Sequence, residues 1–258
     1  MAEGKPTLNL DSRLQFACHP GLPCFTHCCR DVNIYLTPFD VLRMRKKLGL
    51  SSQEFLERYT VTLVGEGTGL PVVALKMDEE RDKKCPFVTA QGCQIYDERP
   101  WACRMFPLDK YSEYEFGLLT DVSRCKGLAE PRELSVEDYL KEQGVLLYEE
   151  VEATFKLVSS SPRVLAQKIV NPRIVEMFYM ACYDLDRFRR FVFESRFLEI
   201  FEIEPEEIAR VKEDDLELLQ LGFRWLQFGL VIGDALKIRD RVLEEAKKKQ
   251  KAAGGGEG

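Results

Sequence analysis

The spacing of apolar residues changes near residue 130. Before it, apolar positions come in short runs broken by Pro, Gly and polar turns; from Pro131 onward they recur at helical spacing over long stretches. In the first stretch, Thr37 is placed to cap a helix that has Pro38 at its first position and Gly49 just past its end. Phe39, Leu42, Met44 and Leu48 share one face of that helix. Ser51 and Glu54 have capping-box spacing, which predicts a second helix through about Tyr59. Val61–Val64 and Val72–Leu75 predict short strands around a Gly-rich turn, and Phe116–Leu119 predicts another strand.

After residue 130 the spacing is helical. Ser135 with Asp138 predicts a helix start, and the pattern runs on to about Val158. Asn171-Pro172 opens a long predicted helix whose apolar face carries Ile174, Met177, Phe178, Ala181, Leu185, Phe188 and Phe191. Pro205 opens a short helix, and a long final one starts near Asp214. Phe223, Trp225 and Phe228 read as core residues of that last helix. The lysine run at 247–251 and the Gly-rich end predict a solvated, fraying helix end and a disordered tail over 251–258.

Composition narrows the functional classes. At 258 residues and 45% apolar content, the chain can build a real core without covalent staples. A net charge of −6 with mixed signs gives no electrostatic case for nucleic acid. The polar stretch Met1–Arg13 lacks the apolar segment of a secretory signal. The most apolar long stretch, Leu216–Ile238, is interrupted by Arg224, Asp234 and Lys237, which argues against a membrane span. The expected setting is the cytoplasm, where thiols stay reduced and clustered cysteines serve metals or redox chemistry rather than disulfides.

The chain has nine cysteines, and all but Cys182 precede residue 126. The first group is Cys18, Cys24, Cys28 and Cys29; the second is Cys85, Cys93, Cys103 and Cys125. Thiolate suits both zinc and iron–sulfur clusters, and short loops between ligands let several sulfurs converge at small entropic cost. Successive side chains usually diverge, so the adjacent Cys28 and Cys29 are expected either to serve different metals or to use one of the two in a tight turn. Arg30, Lys84, Arg104, Arg124 and Lys126 flank cysteines, and such cations are expected to offset the charge of several thiolates. Cys182 lies within an apolar helical pattern and reads as core.

The stretch CPF…GCQIYDERPWACRMFPL, with FACHPGLPCFTHCCRD and YLTPFD upstream, resembles the YkgJ family of cysteine-cluster proteins. The likeness spans about residues 14–126. That family is described as a zinc- or iron-chelating domain. Carried over by position, the resemblance implies metal ligands at Cys24, Cys28, Cys29, Cys85, Cys93 and Cys103, and extends to Cys18 and Cys125. The family's first motif is tighter; here five residues separate Cys18 from Cys24. A related domain in flagellin lysine methylases, thought to carry an iron–sulfur cluster, adds an iron–sulfur and a methyl-transfer option.

The remaining candidates are weaker. His19 and His27 are the only histidines and lie inside the first cysteine group, where they are expected to order the loop at least as much as to bind metal. With no histidine elsewhere, a Ser–His–Asp triad is excluded. Gly65–Gly69 resembles a phosphate loop, but a strand-like segment follows it instead of a helix, so a hairpin turn is expected. Arg99 and Arg104 suit either an anion or a bracing role, and Pro100 and Trp101 a structural one.

The expected fold is α-rich, of α+β type. An irregular cysteine-rich metal-binding module of short helices and a few strands (residues 12–130) precedes a C-terminal helical bundle (residues 131–250). The expected function is cysteine-ligated binding of zinc or an iron–sulfur cluster in a structural or redox role. The alternatives are an iron–sulfur-assisted, methyltransferase-like modifying enzyme and a thiol redox sensor.

Overall fold

The computed structural model describes residues 7–167, 169, 171–231 and 233–254. The chain forms two compact units. One runs to Leu63 and resumes over Val72–Glu152; the other is Val64–Pro71 with the chain from Ala153 onward. Both are short helices with small two- or three-stranded sheets, an α+β architecture weighted to helix.

The first unit contains β1 (Arg13–Gln15), β2 (Tyr35–Leu36), α1 (Pro38–Leu48), α2 (Ser52–Tyr59), β3 (Thr60–Val64), β4 (Pro71–Leu75), β5 (Val88–Thr89), β6 (Gly92–Cys93), α3 (Trp101–Met105), β7 (Leu108–Lys110), β8 (Phe116–Leu118), β9 (Glu133–Ser135), α4 (Val136–Glu142) and α5 (Val145–Val151). Both predicted capping boxes form. Thr37 Oγ1 accepts the Asp40 N–H at 3.1 Å while the Asp40 carboxylate accepts the Thr37 N–H at 2.9 Å, and Ser51 and Glu54 repeat the pattern on α2. The sheet order β2-β4-β3 makes the glycine stretch a hairpin turn, closed by Gly65 N–H to Leu70 O at 2.9 Å.

β1 pairs antiparallel with β9, and β7 with β8. Under them lies a core of Leu14, Phe16, Met105, Leu108, Phe116, Val136, Tyr139 and Leu140, against which Trp101, Phe106 and Cys125 pack. Of the cysteines, Cys125 packs directly on this apolar layer. The helical pattern expected to run from Ser135 to Val158 is broken into α4, α5 and a third helix. Gly144 adopts φ +69°, a left-handed conformation that ends α4 at little cost for glycine alone.

The second unit contains α6 (Ala153–Ser159), α7 (Pro162–Gln167), α8 (Pro172–Cys182), α9 (Leu185–Glu194), α10 (Phe197–Ile200), β10 (Phe201–Glu202), α11 (Pro205–Glu213), α12 (Asp215–Leu230), β11 (Lys237–Ile238) and α13 (Asp240–Gly254). The single helix expected from Asn171 through Phe191 is two. Tyr183 leaves helical geometry, and Asp184 caps α9 by accepting the Arg187 N–H at 3.3 Å. Trp225 packs against Phe188 and Phe191 with ring centres 5.7 and 5.0 Å apart, so these aromatics form core. Among the described residues no helix is long and apolar enough to cross a membrane. The last four residues of the expected disordered tail, 255–258, lie outside the described residues.

Candidate metal centre

All eight cysteines of the two N-terminal groups lie in the first unit. Cys18 and Cys24 sit in the loop after β1, and Cys28 and Cys29 in a 3₁₀ turn, His27–Cys29. Cys85 precedes β5, Cys93 ends β6, Cys103 is in α3, and Cys125 caps a 3₁₀ turn, Lys126–Ala129. Cys182 is in the second unit, fully buried at the end of α8.

Backbone hydrogen bonds lay the distant segments side by side. Cys85 N–H donates to Cys29 O at 2.8 Å, Asp31 N–H to Lys83 O at 2.9 Å, and Arg30 bridges to Lys84. Gln94 N–H donates to Phe87 O at 2.9 Å, and Val88 pairs with Cys93, which closes the second group's hairpin. On the other side, Ala17 N–H donates to Gly127 O at 3.1 Å, and Lys126 N–H donates to Cys24 Sγ at 3.2 Å. Gly127 is required there, because a Cβ would stand 2.4 Å from Ala17 O.

Nearby backbone N–H groups favour the charged form of several sulfurs: those of Phe87 and Val88 at Cys85, of Ile95 at Cys93, and of Gly127 and Leu128 at Cys125. These donors lie two or three residues beyond their cysteine, so each loop curls its own backbone around the sulfur. Such donors stabilise negative charge on sulfur, the state in which it binds metal.

Most of the thiols hold their protons in the absence of metal. Burial, then the neighbouring thiols Cys28, Cys125 and Cys24, pushes Cys18 up to about 11. Burial also raises Cys85, Cys93, Cys103 and Cys125. Cys28 and Cys29 hydrogen-bond each other, which draws Cys28 down to about 7 and raises Cys29. The expectation that flanking cations offset thiolate charge fails for most of them. Arg30 pairs with Asp82, the Lys126 ammonium donates to Val122 O at 3.0 Å, and Arg104 is committed to carbonyls. Arg99 favours the Cys93 thiolate, but burial outweighs it.

Three buried charged residues brace the second group. The Arg104 guanidinium donates to Arg99 O at 3.0 Å, to Gln143 O at 2.8 Å and to Asp97 O, which ties the loop before α3 to the end of α4. Arg99 donates to Tyr96 O at 2.7 Å and to Gln143 Oε1. Both arginines therefore brace loops. Asp40, fully buried, accepts the Trp101 N–H at 2.8 Å and so supplies α3 with the cap that Pro100 lacks. This second role of a capping-box residue is not visible in sequence. The His19 ring is occupied on both nitrogens: Nδ1 accepts from Gly21 N–H at 3.2 Å, and Nε2 lies 3.3 Å from a Glu130 carboxylate oxygen.

Residues 17–126 match the model of the CxxCxxCC family, described as "Putative zinc- or iron-chelating domain". No curated protein and no solved structure matches the chain. The donor set fits a zinc or iron group: soft thiols, backbone N–H groups at the sulfurs, and two segments knitted together. Among the described residues, no three His, Cys, Asp or Glu side chains already stand in a metal-holding arrangement.

Proposed function

We propose that the protein binds zinc or an iron–sulfur cluster through Cys18, Cys24, Cys28, Cys29, Cys85, Cys93, Cys103 and Cys125, and that the metal serves structure or electron transfer. One observation carries the reading: two cysteine-bearing segments are hydrogen-bonded side by side, and the Lys126 N–H donates to Cys24 Sγ. A four-thiolate zinc site leaves no open position, so zinc here would hold the loops together rather than activate a substrate. A cluster held by the same sulfurs would supply one-electron chemistry, with nearby backbone N–H groups helping to set its potential. The polypeptide itself positions the thiols, through Asp40 at α3 and Arg104 across three carbonyls. We place the protein in the cytoplasm, where reduced thiols remain available to metal.

Anaerobic purification, metal analysis and an absorption spectrum of the full chain test this reading. Stoichiometric zinc in a colourless protein supports the structural role. Iron with acid-labile sulfide and broad visible absorption supports electron transfer. A folded chain that takes up neither contradicts the proposal.

A further inference from the structure

Resting on the metal-binding reading above, we propose that the eight thiols form two separate four-sulfur centres joined at the Cys28-Cys29 dipeptide. The outer centre is Cys18, Cys24, Cys28 and Cys125, and the inner one is Cys29, Cys85, Cys93 and Cys103.

The backbone ties divide the same way. Ala17–Gly127 and Lys126–Cys24 bind the Cys18–Cys24 loop to the Cys125 turn. Cys85–Cys29 and the Val88–Cys93 pairing bind Cys29, Cys85 and Cys93 into one hairpin assembly. Cys103 joins them on α3, which is anchored by Asp40 and Arg104. The turn that carries Cys28 is tied to the first loop, with His27 N–H donating to Cys24 O at 3.0 Å and Cys29 N–H to Thr26 O at 3.1 Å.

The chemistry asks for such a division, because one zinc ion or one cluster takes about four cysteine ligands and eight are present. In a 3₁₀ turn, successive side chains point about 120° apart, which suits adjacent cysteines facing two centres. The two cysteines are adjacent in one turn, so the centres are neighbours. They differ in access. Cys18 and Cys28 are exposed, while none of the inner four is. The outer metal is therefore the exchangeable one and the inner metal the structural one.

The test uses the reduced full chain, loaded anaerobically with zinc and desalted. Wild type should hold two zinc ions per chain and release them to a chromophoric chelator in two phases of equal amplitude. The double variant Cys18→Ala/Cys125→Ala should hold one ion, lose the fast phase and keep the wild-type circular dichroism. One ion in wild type, or loss of all zinc or retention of two ions in the double variant, would overturn the division while leaving metal binding intact. Because inner variants risk misfolding, the release phases of wild type provide the check on the inner centre. Wild type that binds no zinc and no iron would remove the underlying reading as well.

Discussion

Replacing Arg104 by lysine keeps the charge and removes the fork. Arg104 is 6% exposed, and its guanidinium serves Arg99 O, Gln143 O and Asp97 O at once. A lysine ammonium at the same place is a point charge that satisfies one of those carbonyls. Two hydrogen bonds from a charged donor are then lost, at about 1.5–3 kcal/mol each. Carbonyls left unpaired are tolerated better than N–H groups, which brings the expected loss to about 2–4 kcal/mol. For a domain of this size that corresponds to a fall of about 5–15 °C in the unfolding midpoint. Thermal and urea unfolding of the zinc-loaded chain measure it. Sulfate titration adds a second readout: a bracing arginine gives no stabilisation by sulfate that depends on residue 104. A variant within about 0.5 kcal/mol of wild type, or sulfate stabilisation lost on substitution, would refute the bracing role.

Three further outcomes follow. Gly127→Ala puts a methyl group against Ala17 O and should cost about 1–3 kcal/mol, with weaker zinc retention than wild type in chelator competition. Unchanged retention would show that the Ala17–Gly127 contact does not hold the site. Burial lifts the Asp40 carboxyl to about 6 from 3.8, so the native state binds the proton more tightly than the unfolded chain. Stability from this group is full at low pH and falls as pH rises through that interval, and the advantage of wild type over Asp40→Asn should shrink by about 2 kcal/mol from about pH 4 to about pH 7 in urea unfolding of the metal-free, reduced chain. An advantage that grows with pH would mean that the carboxylate is stabilised by its hydrogen bonds beyond its burial. Cys182→Ser buries a hydroxyl in the second unit and should cost about 1–3 kcal/mol with no change in metal content; loss of metal would place Cys182 among the ligands.

What the sequence made readable was local. The boxes at Thr37 and Ser51 involve partners three residues apart, so spacing alone is enough to place α1 and α2. The breaks at Gly144 and Asp184 were hidden because apolar spacing continues across them, although a glycine and a capping aspartate stood at both places. The β1–β9 pairing was not readable: each strand is three residues long, and the partners are 120 residues apart. The cysteines announced a metal through their number and the family likeness. Spacing gave no sign that Cys24 lies beside the Cys125 turn, because that contact depends on Gly127 and on where β1 leads the chain. The flanking cations misled in the same way. Their sequence neighbours are cysteines, but Arg30 and Arg104 find their partners in space, in an aspartate and in carbonyls.

The central claim is that sulfur from both cysteine groups surrounds the metal. X-ray absorption fine structure at the metal edge of the anaerobically purified full chain tests it most directly. The account predicts a first shell of sulfur alone, about 2.3 Å from zinc, or sulfur with a short iron–iron vector for a cluster. A first shell dominated by nitrogen or oxygen would contradict it.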